Sequence, residues 1–158
     1  MPRSKEIRAA VYHRAAHEPV TALYCRSAIQ DSVAIEKQKN RLACYSEENG
    51  YTNISWYIDD GESGLTLDRP AMKRLIDDIH SGEIKTVIVT KSDRIARGMD
   101  AMCEWIMLLK GLDVQCTSVF TGKDGLSNEF AFWLQSFRYV YPEIYAAEKR
   151  RDSNRLNH

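Results

Sequence analysis

The chain has 158 residues, of which 44% are hydrophobic and 28% are charged. This length supports one compact domain with its own core and is too short for two. Its 22 lysines and arginines balance its 22 acidic residues, so the formal net charge is zero. A neutral chain does not bind nucleic acid through bulk positive charge, so any DNA contact requires a local cluster of arginines or another domain.

The sequence also argues against membrane, secreted and metal-binding classes. No apolar run approaches the roughly 20 residues of a membrane span, and the charged start, Met1–Arg8, has no secretory signal. We therefore expect a cytoplasmic protein with no membrane partner. The four cysteines form no Cys-x-x-Cys pair and the four histidines are scattered, which predicts reduced thiols, no metal and no cofactor.

The start of the chain contains a partial copy of the segment that follows it. Ala10–Ala16 repeats Ala22–Ala28, with the Tyr and Arg of the two copies each 12 residues apart. Because a helical pattern directly follows the second copy, we assign that copy to the first strand. Residues 1–20 are then an N-terminal extension, either an extra strand or unstructured, before a domain spanning residues 21–158.

Strand and helix patterns alternate along this domain. Apolar and β-branched runs predict strands at Thr21–Cys25, Asn53–Ile58, Thr86–Lys91 and Val114–Phe120. Helical spacing of apolar residues predicts helices at Val33–Glu48, Pro70–His80, Met99–Lys110 and Ser127–Asn154. The alternation predicts an α/β fold with a mainly parallel four- to five-stranded sheet, helices on both faces and a long C-terminal helix.

Helix ends are predicted from capping residues. Asn49-Gly50 is expected to end the first helix and Gly111 the third, because glycine suits a C-terminal stop. Asp68 is the expected N-cap of the helix that opens at Pro70.

Polar residues follow the predicted strands at one edge of the sheet. Arg26, Asp59, Asp60 and the segment Lys91–Arg97 all come just after a strand. Because the carboxyl ends of parallel strands meet at one edge, where active sites of such sheets usually lie, we expect these residues to form a site.

Three motifs carry these residues, and together they resemble a known family. They are Tyr24–Ala28 with Ala34–Gln38, Asp59–Gly64 with Asp68–Pro70, and Lys91–Arg97. In this order and spacing they resemble the catalytic domain of serine site-specific recombinases of the resolvase/invertase family. The motifs cover residues 21–97; beyond them the likeness is one of architecture.

The resemblance implies a fold and an activity. Members of this family cut DNA by attack of a serine hydroxyl on a phosphodiester, which gives a phosphoserine link and a free 3′ hydroxyl, and subunits then exchange. The implied partners are DNA and a second copy of the chain, as a homodimer through the C-terminal helix and a tetramer during strand exchange. Guanidinium groups donate paired hydrogen bonds to phosphate oxygens and stabilise their negative charge. The resemblance therefore implies no metal or nucleotide cofactor.

The resemblance also implies roles for individual residues. The implied catalytic set is Ser27 as nucleophile, with Asp93 and the phosphate-binding arginines Arg26, Arg69, Arg94 and Arg97. The implied supporting set is Tyr24, Gln38, Asp59 or Asp60, Ser63 and Gly64. A solvated surface charge is the alternative for a lone arginine, and for Gln38 and Ser63 a structural role is equally compatible with the sequence.

The chain departs from the family pattern at the nucleophile. The family motif is Tyr-x-Arg-x-Ser, and Ala28 stands at its last position. On a regular strand Ser27 would point away from Arg26, although a turn after Arg26 would bring it back. The chain is therefore either an active recombinase that uses Ser27 or a non-catalytic DNA-associated or regulatory relative. Cys25 as a substitute nucleophile is a more distant alternative.

Two further expectations concern what the chain lacks. No helix-turn-helix or zinc-ribbon pattern follows the predicted long helix, so we expect the family's C-terminal DNA-binding domain to be absent. A doubly wound domain that binds a nucleotide is a third functional class, but no glycine-rich phosphate loop follows the first strand.

Overall fold

The computed structural model describes residues 18–120 and the helical positions 135, 136, 139, 142, 143, 146 and 150. The strands are β1 (Val20–Ser27), β2 (Ile54–Asp60), β3 (Ile84–Val89) and β4 (Gln115–Ser118). The helices are α1 (Ser32–Glu48), α2 (Pro70–His80) and α3 (Met99–Leu112), with a short 3₁₀ helix at Ser92–Arg94. No helix among these residues is long and apolar enough to cross a membrane.

The strands form one parallel sheet in the order β2-β1-β3-β4. This confirms the predicted α/β class. At the carboxyl edge, Arg26 lies opposite Asp59 and Ser27 lies opposite Asp60. Most of the predicted helix Ser127–Asn154, and the first motif copy Ala10–Ala16, lie outside the described residues.

Alternating side chains of β1 divide the core between the two faces of the sheet. Ala22 and Tyr24 belong to a large cluster with α2 and α3, whereas Leu23 and Cys25 belong to a smaller one with α1. Helices therefore cover both faces, as predicted. Continued to the end of β1, the same alternation places the side chain of Arg26 on the α2 and α3 face and that of Ser27 on the α1 face.

The predicted strand ends, and one end of two of the helices, differ from the structure by one or two residues. β1 continues to Ser27 rather than ending at Cys25, because it stays paired with β2 as far as Asp60. α3 continues through Gly111 to Leu112, which still packs against the core. The C-cap residue is Asp113, whose left-handed conformation has a φ of 54°.

The predicted cap of α2 is also wrong. Arg69 is the N-cap residue and makes no side-chain cap hydrogen bond, while Asp68 is exposed and forms an ion pair with Lys73. The carboxylate that caps the helix comes from the neighbouring strand. Asp59 accepts from the backbone N–H groups of Ala71 and Met72 at 2.8 and 3.0 Å. A tertiary contact thus replaces the local cap, because Asp59 at the end of β2 already faces the first turn of α2.

Alanine substitution of Asp59 and of Asp68 tests which of the two aspartates caps α2. Asp59→Ala leaves buried N–H groups without an acceptor, so we expect it to lower the free energy of unfolding by about 3 kcal/mol. Asp68→Ala removes only an exposed pair and is expected to change it by less than about 0.5 kcal/mol. Urea denaturation of both variants measures the difference, and equal losses would contradict the assignment of Asp59 as the cap.

Candidate active site at the carboxyl edge of the sheet

The motif residues meet at the carboxyl edge of the sheet, as the strand order requires. The segment Gly61–Arg69 follows β2 and is called here the β2 loop; the segment Thr90–Gly98 follows β3 and is called the β3 loop. Since β1 lies between β2 and β3, its last residues lie between the two loops. Arg26 is the residue around which they are arranged.

Arg26 is fully buried, and its guanidinium donates to backbone carbonyls of both loops. Nη1 donates to Glu62 O at 2.9 Å, Nη2 to Asp93 O at 2.7 Å, and Nε to Arg94 O at 2.9 Å. Burial lowers the pKa of Arg26, and the nearby positive charges of Arg69 and Arg94 lower it further. The side chain predicted to bind phosphate is therefore occupied by the protein's own backbone.

Arg69 is arranged in the same way. It is 1% exposed, and its Nη1 donates to Ser63 O at 3.1 Å and to Thr66 O at 3.0 Å. Its Nη2 donates to Ile95 O at 2.6 Å. Its Nε is buried without a hydrogen-bond partner and lies 3.8 Å from Asp59 Oδ2. Arg69 thus also joins the β2 loop to the β3 loop.

Asp59 and Asp60, left undecided by the sequence, have different surroundings. Asp59 is 2% exposed and accepts from the hydroxyl of Tyr24 at 2.8 Å; burial raises the pKa of Tyr24 far above its usual value. Asp60 instead accepts from the N–H of Asp31 at 2.8 Å. Asp59 is therefore the aspartate that lies beside a buried arginine, Arg69.

Gln38 extends the pairing of β1 beyond the end of the sheet. Pairing of β1 with β3 stops at Leu23, so Arg26 lies past the last paired residue on that side. Gln38, on α1, donates to Arg26 O at 2.9 Å and accepts from Arg26 N at 3.1 Å. Arg94 Nη1 donates to the same carbonyl at 2.8 Å. Gln38 therefore holds the Arg26 backbone and not its guanidinium.

Arg94 and Arg97 are the more accessible arginines of the four. Arg94 forms a forked pair with Asp93 at 3.0 and 3.1 Å, and this hydrogen bonding lowers the pKa of Asp93. Arg97 is exposed, and its backbone N–H donates to Gly64 O at 2.9 Å. Only these two of the predicted arginines offer guanidinium surface to solvent.

Gly64 packs directly on the guanidinium of Arg26. A Cβ at this position would lie 2.7 Å from Arg26 Nη2 and 2.9 Å from Arg26 Cζ. Such distances are too short for carbon, so the loop conformation requires glycine. The neighbouring Ser63 side chain is exposed, and its hydroxyl accepts from Leu65 N at 3.2 Å.

Ser27 lies on the opposite side of β1 from the Arg26 side chain. It is 9% exposed, and its hydroxyl donates to Ile29 O at 2.6 Å. Ala28, at the motif position of the nucleophile, is exposed. Cys25 is buried, and burial raises the pKa of its thiol to about 12. It is therefore a protonated packing residue at neutral pH.

Some contributors to this edge were missed by sequence reasoning. Asp31 caps α1 by accepting from Ala34 N at 3.0 Å; an aspartate two residues before the predicted helix start at Val33 was the available signal. The backbone carbonyls that bind Arg26 and Arg69 carry no sequence signal. Within the described part of the chain, no three His, Cys, Asp or Glu residues are grouped as metal ligands.

Comparison with known proteins identifies the family. The family model described as Resolvase, N terminal domain, matches residues 21–150. The chain belongs to the resolvase family of serine recombinases. The resemblance carried by the three motifs is thereby confirmed, and the match extends well past Arg97.

Individual relatives agree with this assignment. Putative resolvase L103 of Acanthamoeba polyphaga mimivirus is 36% identical over 84 residues, which are 53% of this chain and 41% of that protein. The chain thus matches less than half the length of this relative.

Two solved structures are also similar. The N-terminal catalytic domain of TP901-1 integrase is 28% identical, with a TM-score of 0.64 over 80% of this chain and 98% of that one. A resolvase family site-specific recombinase from Streptococcus pneumoniae is 23% identical, with a TM-score of 0.59 over 87% and 99% of the two chains. The second likeness is one of fold.

The role of Gln38 is testable through stability. Gln38→Leu leaves the buried N–H of Arg26 without its acceptor, so we expect a loss of about 2 kcal/mol in the free energy of unfolding. Lys37→Leu, on the exposed side of the same helix, is the matched control. If urea denaturation finds the two variants equally stable, Gln38 does not support the end of β1.

Proposed function

We propose that this resolvase-family chain binds DNA at phosphates and does not itself cleave it. It would act as a DNA-associated or regulatory relative of the recombinases. The proposal draws on the family assignment and on the arginine cluster at the carboxyl edge. A cytoplasmic location, and self-association as a homodimer or tetramer, are part of the same proposal.

One observation carries the non-cleaving assignment. The motif position of the nucleophile is Ala28, which has no hydroxyl. The adjacent Ser27 faces α1, and its hydroxyl donates to Ile29 O at 2.6 Å. Attack on phosphorus requires a hydroxyl within reach of the phosphate that the arginines hold. The arrangement therefore supports binding rather than strand cleavage.

The exposed charges of this edge support DNA as the ligand. Arg97 and Lys91 are exposed and Arg94 is partly exposed, and all three follow β3. Phe120, which is 67% exposed, lies under the ammonium of Lys91 at 4.4 Å from the ring centroid. Guanidinium and ammonium groups at one edge suit a phosphate backbone. A local patch of this kind fits a chain whose net charge is zero.

An active recombinase with Ser27 as nucleophile is the second candidate. The acceptor of its hydroxyl, Ile29 O, lies in the exposed segment 28–31, so a change confined to that segment would free the hydroxyl. In this reaction Ser27 Oγ forms a bond to phosphorus and loses its proton. The bond from phosphorus to the 3′ oxygen breaks, and that oxygen leaves as a hydroxyl. Catalytic geometry is often incomplete in the absence of substrate.

Covalent trapping on DNA distinguishes the two candidates. Duplexes selected for binding from a random pool are incubated with the wild-type protein, Ser27→Ala and Ala28→Ser, and a phosphoserine-linked adduct is sought by denaturing gel and mass spectrometry. We expect salt-sensitive binding by all three proteins and an adduct only with Ala28→Ser, which restores the motif hydroxyl.

A wild-type adduct that Ser27→Ala abolishes would contradict the proposal and establish the second candidate. Absence of DNA binding by the wild-type protein would contradict both.

A further inference from the structure

Two buried arginines donate six hydrogen bonds to backbone carbonyls of the β2 loop and the β3 loop. Arg26 and Arg69 are the donors, and the acceptors are the carbonyls of Glu62, Ser63, Thr66, Asp93, Arg94 and Ile95. Three acceptors belong to the β2 loop and three to the β3 loop. We call the two guanidinium groups with these six carbonyls the arginine latch.

We propose that the arginine latch is a closed, self-occupied state of the phosphate site, which DNA opens by parting the β2 and β3 loops. This inference depends on the proposed function, namely that the chain binds DNA phosphates. The exposed fractions of Arg26 and Arg69 are 0% and 1%. A phosphate therefore reaches neither guanidinium while the loops are joined.

The chemistry of the acceptors makes exchange for phosphate favourable. A charged phosphate oxygen is a stronger acceptor for guanidinium than a neutral carbonyl. One phosphate group also accepts from two nitrogens of the same guanidinium at once. Nη1 and Nη2 of Arg26 now donate to carbonyls of different loops. Binding of one phosphate by both nitrogens thus requires the loops to release Arg26.

The buried charge of the latch is poorly neutralised. Among the described residues, no carboxylate lies within ion-pair distance of Arg26, and the nearest for Arg69 is Asp59 at 3.8 Å. Burial and the proximity of Arg69 and Arg94 lower the pKa of Arg26. Two buried guanidinium groups therefore disfavour each other, and an incoming anion relieves that repulsion.

Gly64 keeps the latch closed by leaving room for Arg26. Its carbonyl also accepts from Arg97 N at 2.9 Å, which adds a direct backbone link between the loops. A Cβ at Gly64 would lie 2.7 Å from Arg26 Nη2, so a side chain there displaces the guanidinium or the loop. If the open state is a minor population in the wild-type protein, such a displacement raises the apparent affinity for DNA.

The first experiment compares Gly64→Ala with a matched control. Gly98→Ala lies in the β3 loop, where a Cβ would meet only Leu65 O at 3.6 Å, an ordinary contact. We expect Gly64→Ala to exchange amide hydrogens faster across residues 61–69 and 91–97 without DNA. We also expect it to bind duplex DNA about five-fold tighter than Gly98→Ala. Faster exchange with unchanged or weaker binding would overturn the inference.

The second experiment uses the wild-type protein and so does not depend on the folding of a variant. Hydrogen exchange of residues 61–69 is followed as duplex DNA is added to saturation, with binding measured independently by anisotropy. Parting of the loops predicts faster exchange in this segment. A fall or no change at saturation would overturn the latch while leaving the proposed function standing. Failure of the wild-type protein and both variants to bind DNA would overturn the proposed function and the latch together.

Discussion

The donation of buried guanidinium hydrogens to backbone carbonyls is the interaction on which this edge of the protein depends. Arg26 donates to carbonyls on both sides of β1, at Glu62, Asp93 and Arg94. Irregular loops contain carbonyls without strand or helix partners, and a buried carbonyl without a donor is costly. A guanidinium carries five donors in a fixed plane, so one arginine satisfies carbonyls of both loops.

Other buried polar residues of the site stabilise this arrangement. Gln38 binds the backbone of Arg26, where the pairing with β3 has ended. Asp59 caps α2 and accepts from Tyr24, which fixes the start of the helix beside Arg69. The residues predicted from the family motifs therefore divide into a buried group that organises the loops and a group that is exposed to solvent. Catalytic roles for either group stay predictions.

The sequence predicted the fold class and the meeting of the three motifs at one edge, because both follow from strand alternation in a parallel sheet. It did not predict the cap of α2. Asp68 has the right local position, but Asp59 reaches the helix through strand pairing that no local pattern records. Nor did it predict the burial of Arg26, because the partners of its guanidinium are backbone carbonyls of distant loops. The position of Ser27 followed from alternation along β1 once the strand was found to continue past Arg26.

The side-chain Nε–H of Arg26 reports most directly on whether buried arginines organise this edge. Its bond to Arg94 O at 2.9 Å and its complete burial predict slow exchange with water in the free protein, measured by nitrogen-15 NMR at neutral pH. The exposed Arg97 provides the internal comparison and is expected to exchange rapidly. Exchange of the Arg26 Nε–H as fast as that of Arg97 would contradict the closed, carbonyl-bound state.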